Sequence, residues 1–197
     1  MPVIPVLSPS LGFILLWHSK CLSMPGHSGH RLLFCQMKNF LVPVLFLVAT
    51  LWAHADVVSG KVVRVADGDT ITVLDAQLQQ HKIRLAGIDA PERRQAFGQR
   101  SREFLATLVA SQQVDVETDK TDKYGRAVGK VLLQGRDVNL AVVTAGLAWH
   151  YKEYESEQSP SDRMLYANAE QEARDLRKGL WLDPAPDAPW DWRHNGR

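Results

Sequence analysis

Residues 56–182 predict an α+β fold, a five-stranded OB-type Greek-key β-barrel with about three α-helices. Three observations predict it. Five short runs are dense in β-branched residues or alternate apolar with polar positions. One helical pattern follows the third run, and two more follow the fifth. Turns bearing Gly, Asp and Pro punctuate all of them at short intervals. Short strands in this arrangement close into a small barrel of a kind that often binds nucleic acid or saccharide, although the barrel alone does not decide function.

The first strand runs from Val57 to Ala66, rich in valine, and ends at the turn signal Asp67-Gly68. Ile71 to Leu74 is the second. His81 to Ile88 is the third, with Ile83 and Leu85 on one face and Lys82, Arg84 and Ala86 on the other. A helix is expected to start at Ala90-Pro91-Glu92 and to run to about Ala110. Gln113 to Thr118 alternates as a fourth strand, and a turn at Asp122-Lys123-Tyr124-Gly125 leads into the fifth, Arg126 to Leu133. Asp137 can cap a helix from Val138 to Ala145 that stops at Gly146. Ser159-Pro160 opens the longest helix, Ser161 to Lys178, closed by Gly179. Residues 183–197 form a Pro- and Trp-rich tail whose Trp190 and Trp192, with Trp181, are expected to cover core.

The front of the chain has a different character. Residues 1–55 hold no Asp or Glu, and they hold both cysteines, Cys21 and Cys35. From Met37 the chain reads as a secretory signal: Lys38, an apolar run from Phe40 to Trp52, then the small-x-small site Ala53-His54-Ala55. The apolar run is short for a membrane span, which needs about 20 residues. Residues 37–55 are therefore expected to be a cleaved signal peptide of an exported protein, periplasmic or secreted, without stable membrane association after processing. Residues 1–36 are a doubtful leader or a mis-assigned start. Without residues 1–55 the chain loses three basic residues and no acid, so its formal charge moves from +1 to −2. A nucleic-acid partner then has to be held by a local basic site. The cysteine-free remainder excludes thiol chemistry and Cys-based zinc sites.

The chemistry-bearing residues cluster between Asp67 and Glu92. A hairpin of the second and third strands centred near Gln79 would set Asp69 opposite Asp89. Two carboxylates facing each other are destabilising unless a cation separates them. The nearby donors are all oxygens, which favours a hard cation such as Ca²⁺ over zinc or copper. Singly, each element has a plainer reading. Asp67-Gly68 is a turn, Asp89 and Glu92 make a helix cap, Arg84 faces solvent, and Asp122 to Arg126 is a polar turn. His81 and His150 are read as surface residues.

The combination resembles the staphylococcal-nuclease (thermonuclease) family, in the manner of its bacterial exported members, over most of the chain from Val57 to Trp181. The carriers are Asp67-Gly68-Asp69-Thr70, Arg84-Leu85-Ala86-Gly87-Ile88-Asp89-Ala90-Pro91-Glu92, Thr121-Asp122-Lys123-Tyr124-Gly125-Arg126, Val138-Asn139 with Gly146-Leu147-Ala148, and Gly179-Leu180-Trp181. The resemblance implies Ca²⁺ held by Asp69, Asp89 and the Ala90 backbone carbonyl, and Glu92 as general base. It implies Arg84 and Arg126 as catalytic arginines, and Lys123 and Tyr124 on a terminal phosphate. Tyr151 or Tyr154 would stack on a base. The implied activity is Ca²⁺-dependent hydrolysis of DNA and RNA at the 5′ P–O bond, leaving 3′-phosphates, by a monomer. Arg93 to Phe97 is shorter than the family's mobile active-site loop, and Arg93 and Arg94 either replace its contacts or are solvated charges.

Two alternatives stay open. One is a non-catalytic nucleic-acid-binding module on the same barrel, which the presence of all five acid and arginine positions disfavours. The other is a membrane-anchored interaction domain that retains residues 40–52.

Overall fold

The computed structural model describes residues 56–196; the leader, signal-peptide and anchor readings of residues 1–55 lie outside the described residues. In chain order the elements are β1 (Asp56–Val65), β2 (Thr70–Leu74), β3 (Gln80–Leu85), β4 (Ile88–Asp89), α1 (Gly98–Val109), β5 (Gln113–Thr121), β6 (Ala127–Leu133) and β7 (Arg136–Asp137). Then come α2 (Val138–Thr144), β8 (Trp149–His150), a 3-10 turn (Lys152–Glu157), α3 (Pro160–Asp175), a second 3-10 turn (Gly179–Leu182) and α4 (Pro189–His194).

The five long strands close into a mixed barrel. β1 pairs antiparallel with both β2 and β5, β2 with β3, and β5 with β6. A parallel pairing of β3 with β6, Ile83 opposite Ala127 and Leu85 opposite Gly129, shuts the ring. A bulge between Val62 and Arg64 bends β1, which helps the sheet curl toward closure. Period-two alternation turns Val62, Ile71, Val73, Ile83, Leu85, Val114, Val116 and Val131 inward, all nearly or fully buried. Leu105 and Val109 from α1, with Val142 and Val143 from α2, join the same core. Burial of each such side chain contributes about 1.5–3 kcal/mol, so this apolar row holds the platform on which the polar site is built.

α2 starts at the expected cap, with the Asp137 carboxylate accepting the Leu140 N–H at 2.9 Å. α3 starts at Ser159, whose hydroxyl accepts the Asp162 N–H at 3.1 Å. Asn139, fully buried, fastens α2 to the barrel. Its Oδ1 accepts from Val131 N at 3.1 Å, and its Nδ2 donates to Ala86 O at 3.0 Å and Gly129 O at 3.2 Å.

Three expectations need correction. The hairpin of β2 and β3 pairs Thr70 with Arg84 and Leu74 with Gln80, so Asp69 lies opposite Leu85 rather than Asp89. Asp75 causes the shift: its carboxylate accepts the N–H groups of Gln77 and Gln79, which centres the turn two residues earlier than Gln79. The helix expected from Ala90 begins only at Gly98, because Asp89 has its oxygens engaged elsewhere and cannot cap. Gln95 takes the Glu92 N–H with its side chain at 3.0 Å, and Phe97 sits at φ 65° before the helix starts. The third strand stops at Leu85; Gly87, at φ 71°, turns the chain into β4, which pairs with β8.

Candidate active site

The turn at Gly87 brings Asp89 back beside Asp69. Asp69 is held by backbone: its Oδ2 accepts the Ala90 N–H at 2.7 Å. Arg84, on the polar face of β3, lies between the acids, with Nη1 2.5 Å from Asp69 Oδ2 and Nη2 2.7 Å from Asp89 Oδ1. Both carboxylates are almost inaccessible to solvent, at 6% exposure for Asp69 and 0% for Asp89. Burial pushes the Asp89 carboxyl above its ordinary range, against the opposing pull of Arg193 and Arg84. Burial disfavours the Arg84 charge, but Asp69, Asp89 and Asp67 more than offset it and hold its pKa above the usual value. Burial, then the adjacent Asp69 charge, push Asp67 up to about 6. Asp67 also accepts the Asp69 N–H at 3.1 Å, so it shapes the turn that presents Asp69.

Glu92 stands at the rim, its side chain 40% exposed. A residue that the sequence reading did not select meets it there. Arg193 of α4 donates from Nη1 to Glu92 Oε1 at 2.9 Å and from Nη2 to Asp89 Oδ2 at 2.8 Å. The only sequence signal for it is a cation in a tail dense with tryptophan.

Arg126 lies across the same groove, presented by the turn Asp122 to Arg126. The Asp122 Oδ1 accepts the N–H groups of Tyr124 and Arg126, each at 2.9 Å, while its Oδ2 accepts from Arg126 Nε at 2.7 Å. Burial opposes the Asp122 charge, but these bonds from Arg126 and Tyr124 prevail and lower its pKa. Asp122 is thus a positioning residue, read from sequence only as part of a turn. Lys123 and Tyr124 project from the tip, the Tyr124 ring 71% exposed with the Lys123 and Arg126 cations against it. Asp69, Arg84, Asp89, Glu92, Lys123 and Arg126 all line one groove of about 830 Å³.

The two tyrosines after β8 line that groove too, with different freedom. Trp190 stacks on Tyr151 at 5.6 Å and 7°, and the Tyr151 hydroxyl donates to Glu153 at 2.8 Å. Tyr154 is 42% exposed, with Lys120 over its ring. The tail is more than a core cover: Trp181 is buried, while Trp190 packs against Trp149 and against Tyr151, which lines the groove. Arg93 and Arg94 are exposed. His150 is a correction, being fully buried on β8 rather than at the surface. Its Nε2 pairs with Gln158 Oε1 at 2.7 Å, and the Lys152 ammonium meets Nδ1 at 2.8 Å. Burial lowers its pKa. His81 is half-buried and paired with Asp75 at 2.7 Å.

Among the described residues no three His, Cys, Asp or Glu side chains are grouped to hold a metal ion. The groove is lined by six carboxylate residues, of which Asp69 and Asp89 share the Arg84 guanidinium, and by no histidine or cysteine. That set fits a hard cation held jointly by one or two carboxylates, water and a substrate phosphate, and it does not fit a structural zinc centre.

Known proteins are similar to this chain over most of the described residues. Residues 82–183 match the family model described as staphylococcal nuclease homologue. The protein ParB of Escherichia coli is 43% identical over 159 residues, covering 76% of this chain and 85% of that protein. A micrococcal nuclease of Shigella flexneri is 43% identical over 156 residues, covering 75% of this chain and 86% of its own. An uncharacterized endonuclease of Escherichia coli O157:H7 is 41% identical over 159 residues, covering 80% and 99%.

Proposed function

The chain belongs to the staphylococcal nuclease family, and from that premise we propose that it is a Ca²⁺-dependent nuclease hydrolysing the phosphodiester bonds of DNA and RNA at the 5′ P–O bond. The observation that carries the proposal is the convergence, in one groove, of two arginines, an exposed carboxylate and a pair of buried carboxylates. A non-catalytic barrel that only tracks a strand needs cations and aromatic faces. It has no use for buried acids beside an arginine.

The roles follow from chemistry. Phosphodiester hydrolysis adds an oxygen to phosphorus and gathers negative charge on the equatorial oxygens. Arg84 and Arg126 line the groove and supply positive charge to those oxygens, Arg84 with whatever N–H groups remain after Asp69 and Asp89, and Arg126 with those left after Asp122. Glu92, accessible at the rim, orients the attacking water and accepts its proton. Lys123 and Tyr124, on an exposed turn, contact a neighbouring phosphate, and Tyr154 has a free face for a base. Asp69, Asp89 and the Ala90 carbonyl would hold the cation. Bound there, it would supply Lewis-acid polarisation of a phosphoryl oxygen.

The test is digestion of single-stranded DNA and of RNA, with Ca²⁺ and with chelator, by wild type and Glu92→Gln. Cation-dependent cleavage that falls about 10²–10⁴-fold in the variant is expected. Strand binding without cleavage in the wild type would hand the case to the binding module. Export is part of the same proposal, and N-terminal sequencing of protein recovered outside the cytoplasm should read from Asp56.

A further inference from the structure

The tail after the second 3-10 turn is fastened to the active site at three places. Gln95, in the turn that follows Glu92, donates from Nε2 to Asp187 O at 2.6 Å. Trp190 lies flat on Tyr151 and edge-on to Trp149, whose ring centroid is 5.4 Å away. Trp149 in turn packs edge-on to the buried Trp181 at 4.4 Å. Ala188 and Pro189 are buried where α4 begins. One turn later the helix delivers Arg193, which sits between Asp89 and Glu92.

The donor count at Arg193 decides what it is for. Nη1 donates to Glu92 Oε1 at 2.9 Å and to Asp89 Oδ1 at 3.2 Å, and Nη2 donates to Asp89 Oδ2 at 2.8 Å. These three bonds use both protons of Nη1 and one of Nη2, and all go to the two acids. A planar guanidinium holds two carboxylates at a fixed separation in a way that a point charge cannot. Glu92 is otherwise a half-exposed side chain whose carboxylate has no other donor among the described residues. Asp89, by contrast, is fixed already by Arg84. The flexible partner is therefore the one that gains most.

We infer that Arg193 is a positioning residue that clamps the Glu92 carboxylate to Asp89, so that the C-terminal helix α4 is part of the active site. This rests on the nuclease reading, with Glu92 handling the water. Without the clamp, repulsion between the two acids and the exposure of Glu92 let its carboxylate swing into solvent. The strand itself is still held by Arg126, Lys123 and the tyrosines. The loss belongs to kcat and not to KM.

The test compares wild type, Arg193→Ala, Arg193→Lys and the pair Arg193→Ala/Glu92→Gln. Steady-state cleavage of a short single-stranded DNA is measured with Ca²⁺, and its Kd by fluorescence anisotropy in excess chelator. Loss of an orienting partner typically lowers activity about 10–100-fold, and that drop in kcat is expected for Arg193→Ala with KM and chelator Kd within about twofold. Arg193→Lys should recover part of the rate. The double variant should cleave no more slowly than Glu92→Gln alone, because Arg193 acts through Glu92. An Arg193→Ala enzyme with unchanged or higher kcat overturns the inference and makes the tail dispensable or a plug. A Kd weakened more than about tenfold in chelator also overturns it, since Arg193 would then be a phosphate contact. A wild-type protein that binds the strand and cleaves nothing overturns the nuclease reading, and this inference with it.

Discussion

Arg84 faces one way because β3 alternates, with Ile83 and Leu85 buried in the barrel and the arginine left on the groove side. Its fork spans Asp69 and Asp89, which a lysine cannot do. Arg84→Lys should therefore fold, as judged by circular dichroism, yet lose about 10²–10³-fold in kcat on single-stranded DNA. Singled out alone, Arg84 reads as a solvent-facing strand residue; only its combination with Asp69, Asp89, Glu92 and Arg126, and the family resemblance that combination carries, marks it in the sequence. His150 was not legible: a lone histidine between Trp149 and Tyr151 carries no local sign that β4 and α3 will bury it. It makes a prediction of its own. Burial holds its folded pKa below the unfolded value of about 6.5, so the unfolded chain takes up the proton first as pH falls. The neutral ring, donating to Gln158 and accepting from Lys152, contributes its stability fully above about pH 6.5, and that contribution is lost as pH falls from there toward the lower folded pKa. Unfolding midpoints in urea from pH 7.5 to 5 should decline for wild type and decline less for His150→Gln.

At the scale of elements, strands announced themselves by β-branched density, and α2 and α3 by their caps, Asp137 and Ser159. β4, β8 and α4 did not, because two-residue strands and a six-residue helix have no period to detect and exist only through tertiary contacts. The hairpin register was likewise decided by one side chain, Asp75, closing its own turn. Two elements carry predictions. Asp122 holds the Arg126 turn by three bonds, so Asp122→Ala should lower kcat about 10–100-fold in the same steady-state assay and also weaken strand affinity, because Lys123, Tyr124 and Arg126 all ride on that turn. Gly125, at φ 76°, is what lets that turn close. Asn139 ties α2 to the β3–β6 closure, and Asn139→Ala would leave a buried N–H and two carbonyls without that partner. A loss of about 2–3 kcal/mol in urea unfolding is expected.

For the molecule as a whole, charge is the informative quantity. Residues 56–197 are formally at −2, so no general attraction draws the protein to nucleic acid, and the groove must supply it. Its cations are mostly committed: Arg84 to Asp69 and Asp89, Lys120 to Glu157, and Arg193 to Asp89 and Glu92. Arg126 is paired through Nε with Asp122, while Lys82 and Lys123 line the groove without a carboxylate partner among the described residues. Two free cations on a single strand, Lys82 and Lys123, release about 0.7 counterions each, which sets the slope of log affinity against log salt at about −1.4 in chelator. The cation proposed at Asp69 and Asp89 would neutralise further phosphate charge, so replacing chelator by Ca²⁺ should tighten binding and steepen that slope. Anisotropy titrations of a short DNA between 50 and 300 mM salt, about the useful range for such slopes, measure both. Lys123→Ala should flatten the slope by about 0.7. A slope steeper than about −5 would mean that the strand runs past the groove onto the outer surface of the barrel.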